Sequence, residues 1–255
     1  MNKIISKLLK WYYKIAGYLM LIPNFIIYKY YNPKTLIILG MHRSGTSCMT
    51  RIFNLCDVYL GKALMKAQLD NPEGFWENEL VFEINEKILK QSGGSWDNPP
   101  DKLKVTIFDK LSMLSILYSA RGNVLGIKDP RMLITWEVWK PLISNYSIVG
   151  IFRHPLSVAK SLEKRNGFNI SDSLDLWFKY NQKLISLAEV ENILLIDFDN
   201  SNLFEEKVCL ALKELNLKFV EGALNFYNPQ NRHSDNLIKI EDAKINDMYS
   251  ELKVK

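Results

Sequence analysis

Short apolar runs alternate along this chain with longer stretches in which apolar residues recur every three or four positions. Thr35–Leu39 (TLIIL) is rich in β-branched residues and has no polar face, the pattern of a strand buried on both sides of a parallel sheet. Val124–Ile127 (VLGI), Ser147–Phe152 (SIVGIF) and Ile193–Asp197 (ILLID) read the same way. Between these runs the spacing changes to that of helices. Thr46–Leu55 gathers Met49, Ile52, Phe53 and Leu55 on one side, and Glu79–Gln91 spaces Leu80, Val81, Ile84 and Ile88 at helical intervals. Lys102–Ser119, Met132–Ile143, Leu156–Arg165, Asp172–Val190 and a segment near Leu203–Leu215 are further predicted helices. Pro155 suits the first position of its helix, and Pro72 with Gly74 marks a turn. Strands alternating with helices predict an α/β fold, a parallel sheet covered on both faces.

In such sheets the ligand sits beyond the carboxyl ends of the strands. Arg43, the pair Lys128-Asp129, and Arg153 each fall at the end of a predicted strand. They are therefore expected to meet at one site.

Composition narrows the class. A chain of 255 residues with 47% apolar residues can bury a substantial core. We read residues 33–255 as one domain preceded by a separate segment, 1–32, and find no internal repeat. Three cysteines (Cys48, Cys56, Cys209) without a CxxC pairing argue against a disulfide framework or a zinc site and suit a reducing compartment. Three scattered histidines point away from a metal centre. The formal charge of +5 is uneven: +8 before Asp57, where no acidic residue occurs, and −3 after it. That is not a nucleic-acid-binding surface.

The positive end coincides with an apolar, aromatic-rich segment. In residues 1–32 the longest uncharged run, Ile15–Tyr28, has 14 residues and contains Pro23 and Asn24. A bilayer span needs about 20 apolar residues, and no small-residue cleavage site of a secretory signal precedes Thr35. Lysines interspersed with Trp11, Tyr12, Tyr13, Leu and Ile fit a helix lying in a membrane interface. A terminal helix packed on the domain or on a partner chain fits equally. The placement expected is cytoplasmic, at the inner face of a membrane.

The most informative stretch is Gly40-Met41-His42-Arg43-Ser44-Gly45-Thr46-Ser47. Strand, glycine-bearing loop and helix together aim backbone N–H groups at one anion. Gly40 and Gly45 hold the two glycine places of the P-loop GxxxxGK[ST]. Thr46 stands where that motif has lysine, so the ammonium that reaches the terminal phosphates is missing. Arg43 restores a positive charge from inside the loop.

This loop resembles the 5′-phosphosulfate loop of sulfotransferases that use 3′-phosphoadenosine 5′-phosphosulfate (PAPS). Arg153-His154-Pro155-Leu156-Ser157-Val158-Ala159-Lys160-Ser161 is similar to their 3′-phosphate segment, with Ser161 eight residues after the arginine. GMHRSGTS, NPEGFWE, GIKDPR and FRHPLSVAKSL, in that order, resemble a bacterial branch of the family over roughly Leu36 to Asp197. The resemblance implies a P-loop-like sulfotransferase fold, PAPS as donor, adenosine 3′,5′-bisphosphate as product, no metal, and sulfuryl transfer to a hydroxyl or amine. Family habit makes the acceptor a carbohydrate or a lipid-linked glycan. It places Arg43, Ser44, Gly45, Thr46, Ser47, Arg153 and Ser161 on the donor, with Arg232 as a late basic residue toward the 3′-phosphate. Glu77 is the expected general base, with Glu73, His42 and His154 behind it; a carboxylate at a helix start is otherwise explained by the helix dipole. Lys128 is expected either on the sulfuryl oxygens or in a buried ion-pair cluster with Asp129 and Arg131. Two other readings stay open: a P-loop nucleotide kinase, and a non-catalytic nucleotide-binding partner of a glycan-assembly enzyme.

Overall fold

The computed structural model describes residues 11–12, 15, 19–66, 74–120, 122–227 and 242–255. Strand β1 (Lys34–Gly40) lies between β2 (Val124–Lys128) and β3 (Tyr146–Phe152), and β4 (Ile193–Asp197) continues the sheet beyond β3. All pairings are parallel. The reason the β1 run has no polar face is visible in its alternation. Leu36 and Ile38 enter one hydrophobic cluster and Ile37 and Leu39 the other, all fully buried. Period-two burial on both faces is what a central parallel strand requires.

Helix α1 (Leu21–Tyr31) precedes β1. One layer then consists of α3 (Glu79–Gln91), α4 (Ile107–Leu117), α5 (Met132–Trp139), α6 (Pro155–Asn166), α7 (Ile170–Val190) and α9 (Ala243–Val254). The other contains α2 (Thr46–Leu55), α8 (Ser201–Glu214) and the 3₁₀ turn Ala223–Phe226. The expected α/β architecture with a parallel sheet between helices is thus the observed one.

Several boundaries move. The helix expected from Lys102 begins only at Ile107, because Thr106 and Asp109 form a capping box: Asp109 N donates to Thr106 Oγ1 at 3.2 Å and Thr106 N to the Asp109 carboxylate at 2.8 Å. The helix expected over Met132–Ile143 stops at Trp139, and Pro141 sits in a 3₁₀ turn, Lys140–Leu142. Helix α9 was not expected, yet Ile245, Met248, Tyr249 and Leu252 are its buried face at helical spacing.

The strand order β2-β1-β3-β4 matters most for the site. After β1 the chain goes to one side to build β2, and β3 returns on the other side. The crevice past the carboxyl ends of β1 and β3 is the topological switch point, where ligands of open α/β sheets bind. Gly40 is in register with Ile151 there, so the loop after β1 and Arg153 after β3 are neighbours.

Candidate active site

The loop after β1 is shaped by two glycines. A Cβ on Gly40 would lie 2.6 Å from Ile151 O and 2.7 Å from Thr46 Cγ2. Gly45 has φ +90°, and a Cβ there would sit 2.2 Å from the Phe198 ring. Neither position admits a side chain without displacing the sheet or the ring. Arg43 is also left-handed, at φ +68°, an uncommon conformation for a residue with a side chain.

Helix α2 starts at this loop with Gly45 as its N-cap and no side-chain cap. Its first-turn N–H groups have no acceptor within the helix, and they point where an anion would lie. Ser44 Oγ and His42 Nε2 are buried and have no hydrogen-bond partner among the described residues. Buried polar atoms are almost always partnered. An uncapped helix start beside two such atoms fits an oxyanion ligand in both charge and donor geometry.

One guanidinium group and one hydroxyl, those of Arg153 and Ser161, reach this loop from the β3–α6 unit and meet its own Arg43. Arg43 Nε donates to Ser161 Oγ at 2.7 Å, and Arg153 Nη1 approaches Arg43 O at 3.4 Å. Arg153 is itself aimed by Asp199, whose Oδ1 pairs with Nε at 3.2 Å while Oδ2 accepts from His154 N at 2.8 Å. Asp199 was not among the expected residues. Its only sequence signal is a carboxylate just past β4, the same place after a strand that singled out the others.

Glu77 and Lys128 meet on the other flank. Lys128, the last residue of β2, donates to Glu77 Oε1 at 2.6 Å, to Phe75 O at 3.0 Å and to Ser47 Oγ at 3.1 Å. Its three donors are thereby matched by three protein acceptors, and one of them belongs to the loop helix. Glu77 does not cap α3. Asn78 does, with its side chain accepting from Leu80 N at 2.9 Å. Glu77 instead turns inward, and its backbone is clamped by Met65 N, which donates to Glu77 O at 2.9 Å. Burial pushes the Glu77 carboxyl above its usual range; Lys128 pulls against this, and Asp129 adds to it.

Asp129 and Arg131 form a separate framework. Asp129 accepts from Asn85, from Arg131 N and from the Arg131 side chain, and Arg131 also pairs with Glu86. These contacts fasten β2 to α3 from below the site.

His42 packs against Trp96, ring centroids 4.4 Å apart, and Trp96 stacks on Phe168. Burial, and then the charges of Arg131, Lys128, Arg165 and Arg43, hold the His42 imidazole well below its usual pKa, so it is neutral near pH 7. His154 is buried edge-on against Tyr249 of α9. Glu73 and Arg232 lie outside the described residues. The structure therefore brings Arg43, Ser44, Gly45, Thr46, Ser47, Arg153 and Ser161 to one loop, with Glu77 and Lys128 reaching it through Ser47.

A cleft of about 880 Å³ lies between the segment 92–104 and α7, with Ile134 of α5 also in its lining. Lys102, Lys104, Lys179 and Lys183 ring it, with Asn98 and Gln182 between them and Asp101 as the carboxylate in its lining. Its floor includes Tyr180, whose hydroxyl donates to Trp96 O at 2.7 Å. Trp96 in turn packs against His42.

The fold, a parallel α/β sheet with a glycine-bearing loop at its switch point, is like that of a solved sulfotransferase domain. The solved sulfotransferase domain from the Synechococcus PCC 7002 olefin synthase superposes with a TM-score of 0.56, over 87% of this chain and 94% of that domain. The two are 15% identical, so the likeness is one of fold. No protein-family model matches the sequence, and no curated protein matches it.

Proposed function

We propose that this chain is a PAPS-dependent sulfotransferase acting on a hydroxyl of a carbohydrate or lipid-linked glycan. The observation that carries the reading is the convergence of Arg43, Arg153 and Ser161 on a helix start without a side-chain cap, beside which Ser44 Oγ is buried with no partner among the described residues. PAPS, when bound, supplies an activated sulfuryl group on its 5′ side and a phosphate on its 3′ side.

The residues divide between those two ends. The N–H groups of Gly45, Thr46 and Ser47, the Ser44 hydroxyl and the Arg43 charge hold the 5′ side and stabilise charge that develops on the leaving oxygen. Arg153 and Ser161 hold the 3′-phosphate, for which a guanidinium is the better-shaped cation. Arg232 joins them in this proposal from sequence alone. Glu77 takes the proton of the acceptor hydroxyl. Its raised pKa makes it a stronger base than an ordinary carboxylate. His42, held neutral but with a strongly depressed pKa, is the weaker base. Lys128 opposes the rise in the Glu77 pKa and fixes it relative to Ser47, so we assign it positioning rather than direct contact with the transferred group.

The lysine-ringed cleft supports an acceptor that carries negative charge. Four ammonium groups face one carboxylate, and the Asn98 and Gln182 carboxamides suit sugar hydroxyls.

Calorimetric titration with adenosine 3′,5′-bisphosphate, and with ATP plus magnesium in parallel, tests the donor. Micromolar bisphosphate binding without metal and weak ATP binding is the expected result. Tight magnesium-dependent ATP binding would transfer the chain to the kinase reading. Tight bisphosphate binding without sulfuryl transfer to any charged glycan would favour a non-catalytic binder.

A further inference from the structure

Helix α1 carries large apolar side chains on the side that faces water. Ile22, Ile26 and Tyr30, four residues apart and so on one face, are 73%, 63% and 82% exposed. Ile27 and Tyr31 extend that face, and Leu19 and Met20 before the helix, with Trp11 and Tyr12, are exposed as well. The opposite face is already used. Asn24 and Tyr28 are buried, and the Phe25 and Tyr28 rings lie 5.2 and 5.1 Å from Tyr118 at the end of α4. The helix is thus fastened to the domain by one side while the other presents a continuous apolar surface. Contiguous exposure of this kind marks an interaction site.

We infer that this face of α1 docks on an anionic lipid bilayer surface. The charge pattern selects that occupant. No acidic residue precedes Asp57, and Lys3, Lys7, Lys10, Lys14, Lys29 and Lys34 fall within or beside the segment. An anionic headgroup layer complements that charge, worth roughly a factor of five per lysine near the surface. A two-fold contact with a second copy would instead set the same lysines against one another. Aromatic side chains, Tyr30 and Tyr31 at the end of α1 and Trp11 and Tyr12 earlier in the chain, suit the boundary between headgroups and acyl chains. Among the described residues no helix is long and apolar enough to cross a membrane. Helix α1 leads into the amino end of β1, and the candidate site lies past its carboxyl end. Seven strand residues separate them by about 20 Å, which leaves the loop and its cleft accessible from water while the helix is docked.

The test is flotation of the full chain with vesicles of phosphatidylcholine alone and of phosphatidylcholine with phosphatidylserine, beside the double variant Ile22→Glu/Ile26→Glu. We expect the native chain to float with the anionic vesicles, less so at high salt, and the variant to partition at least about tenfold more weakly. Both proteins should melt at the same temperature, because the substituted side chains touch solvent. Four results would overturn the inference, the first two read from flotation: equal flotation of the variant, or none of the native chain. Another is native self-association that the substitutions abolish without any vesicle binding, which would make the face a contact between copies. The last is a variant that melts several degrees lower, which would mean the chain itself covers the face.

Discussion

Arg43 Nε and Ser161 Oγ are 2.7 Å apart across 118 residues of chain. The loop after β1 and the helix after β3 are therefore joined by a direct side-chain contact. Arg153, held by Asp199, completes the junction from the strand end.

Arg153→Ala should weaken adenosine 3′,5′-bisphosphate at least about tenfold and adenosine 5′-phosphate far less, since a charge-assisted contact is worth about 1.5–3 kcal/mol. Calorimetry with the two nucleotides measures the difference. Equal losses would show that Arg153 does not face the 3′ group. Asp199→Asn should give a smaller version of the same pattern, because it frees Arg153 without removing it.

Gly45→Ala should abolish measurable bisphosphate binding while the fold survives. The added methyl group meets the Phe198 ring, and the φ of +90° opposes any side chain. Adding Phe198→Ala opens the space but not the backbone conformation, so the double variant should recover only part of the affinity. Full recovery would mean that crowding alone shapes the loop.

Glu77→Gln should leave bisphosphate affinity nearly unchanged and lower turnover about 10²-fold or more, the usual size of a lost general base. The base must be ionised to act, so native turnover should fall as pH drops through a pKa above the ordinary carboxylate range. Lys128→Met removes the charge that opposes that rise and should move the acid limb to still higher pH. It should also lower the melting temperature, since unpairing a buried carboxylate costs about 3–5 kcal/mol. An unmoved acid limb would assign the titration to another group.

The double charge reversal Lys179→Glu/Lys183→Glu should raise KM for a charged glycan acceptor severalfold or more and leave bisphosphate affinity alone. Steady-state kinetics at two salt concentrations checks this, because the native preference should weaken as screening increases. A KM that does not move would separate the cleft from the acceptor.

Asp109 offers a test of the fold rather than the site. Burial would raise its pKa, but hydrogen bonds from Lys87, Gln91 and Thr106 prevail and hold it well below the usual carboxylate range. Such a group stabilises the fold fully above its unfolded value of about 3.9 and loses that contribution as pH falls toward its folded value. Asp109→Asn should therefore cost about 1–2 kcal/mol at pH 7 and flatten the acid side of the melting curve against pH.

Local pattern determined a good deal of this protein. The run Thr35–Leu39 has no polar face because both sides of β1 are covered, and burial of that kind is written into consecutive residues. Gly40, Gly45 and the missing lysine at Thr46 are likewise local, and they marked the loop between β1 and α2. Even the true start of α4 was legible in Thr106 and Asp109, three residues apart, and α9 in the spacing of its apolar side chains. What no local pattern contains is which strand lies beside which. The order β2-β1-β3-β4 set Arg153 against the loop, turned Glu77 away from its helix and onto Lys128 across 51 residues, and made Asp199 the holder of Arg153. Those pairings arise because strands far apart in sequence hydrogen-bond edge to edge and bring their ends together. Only tertiary structure decides that.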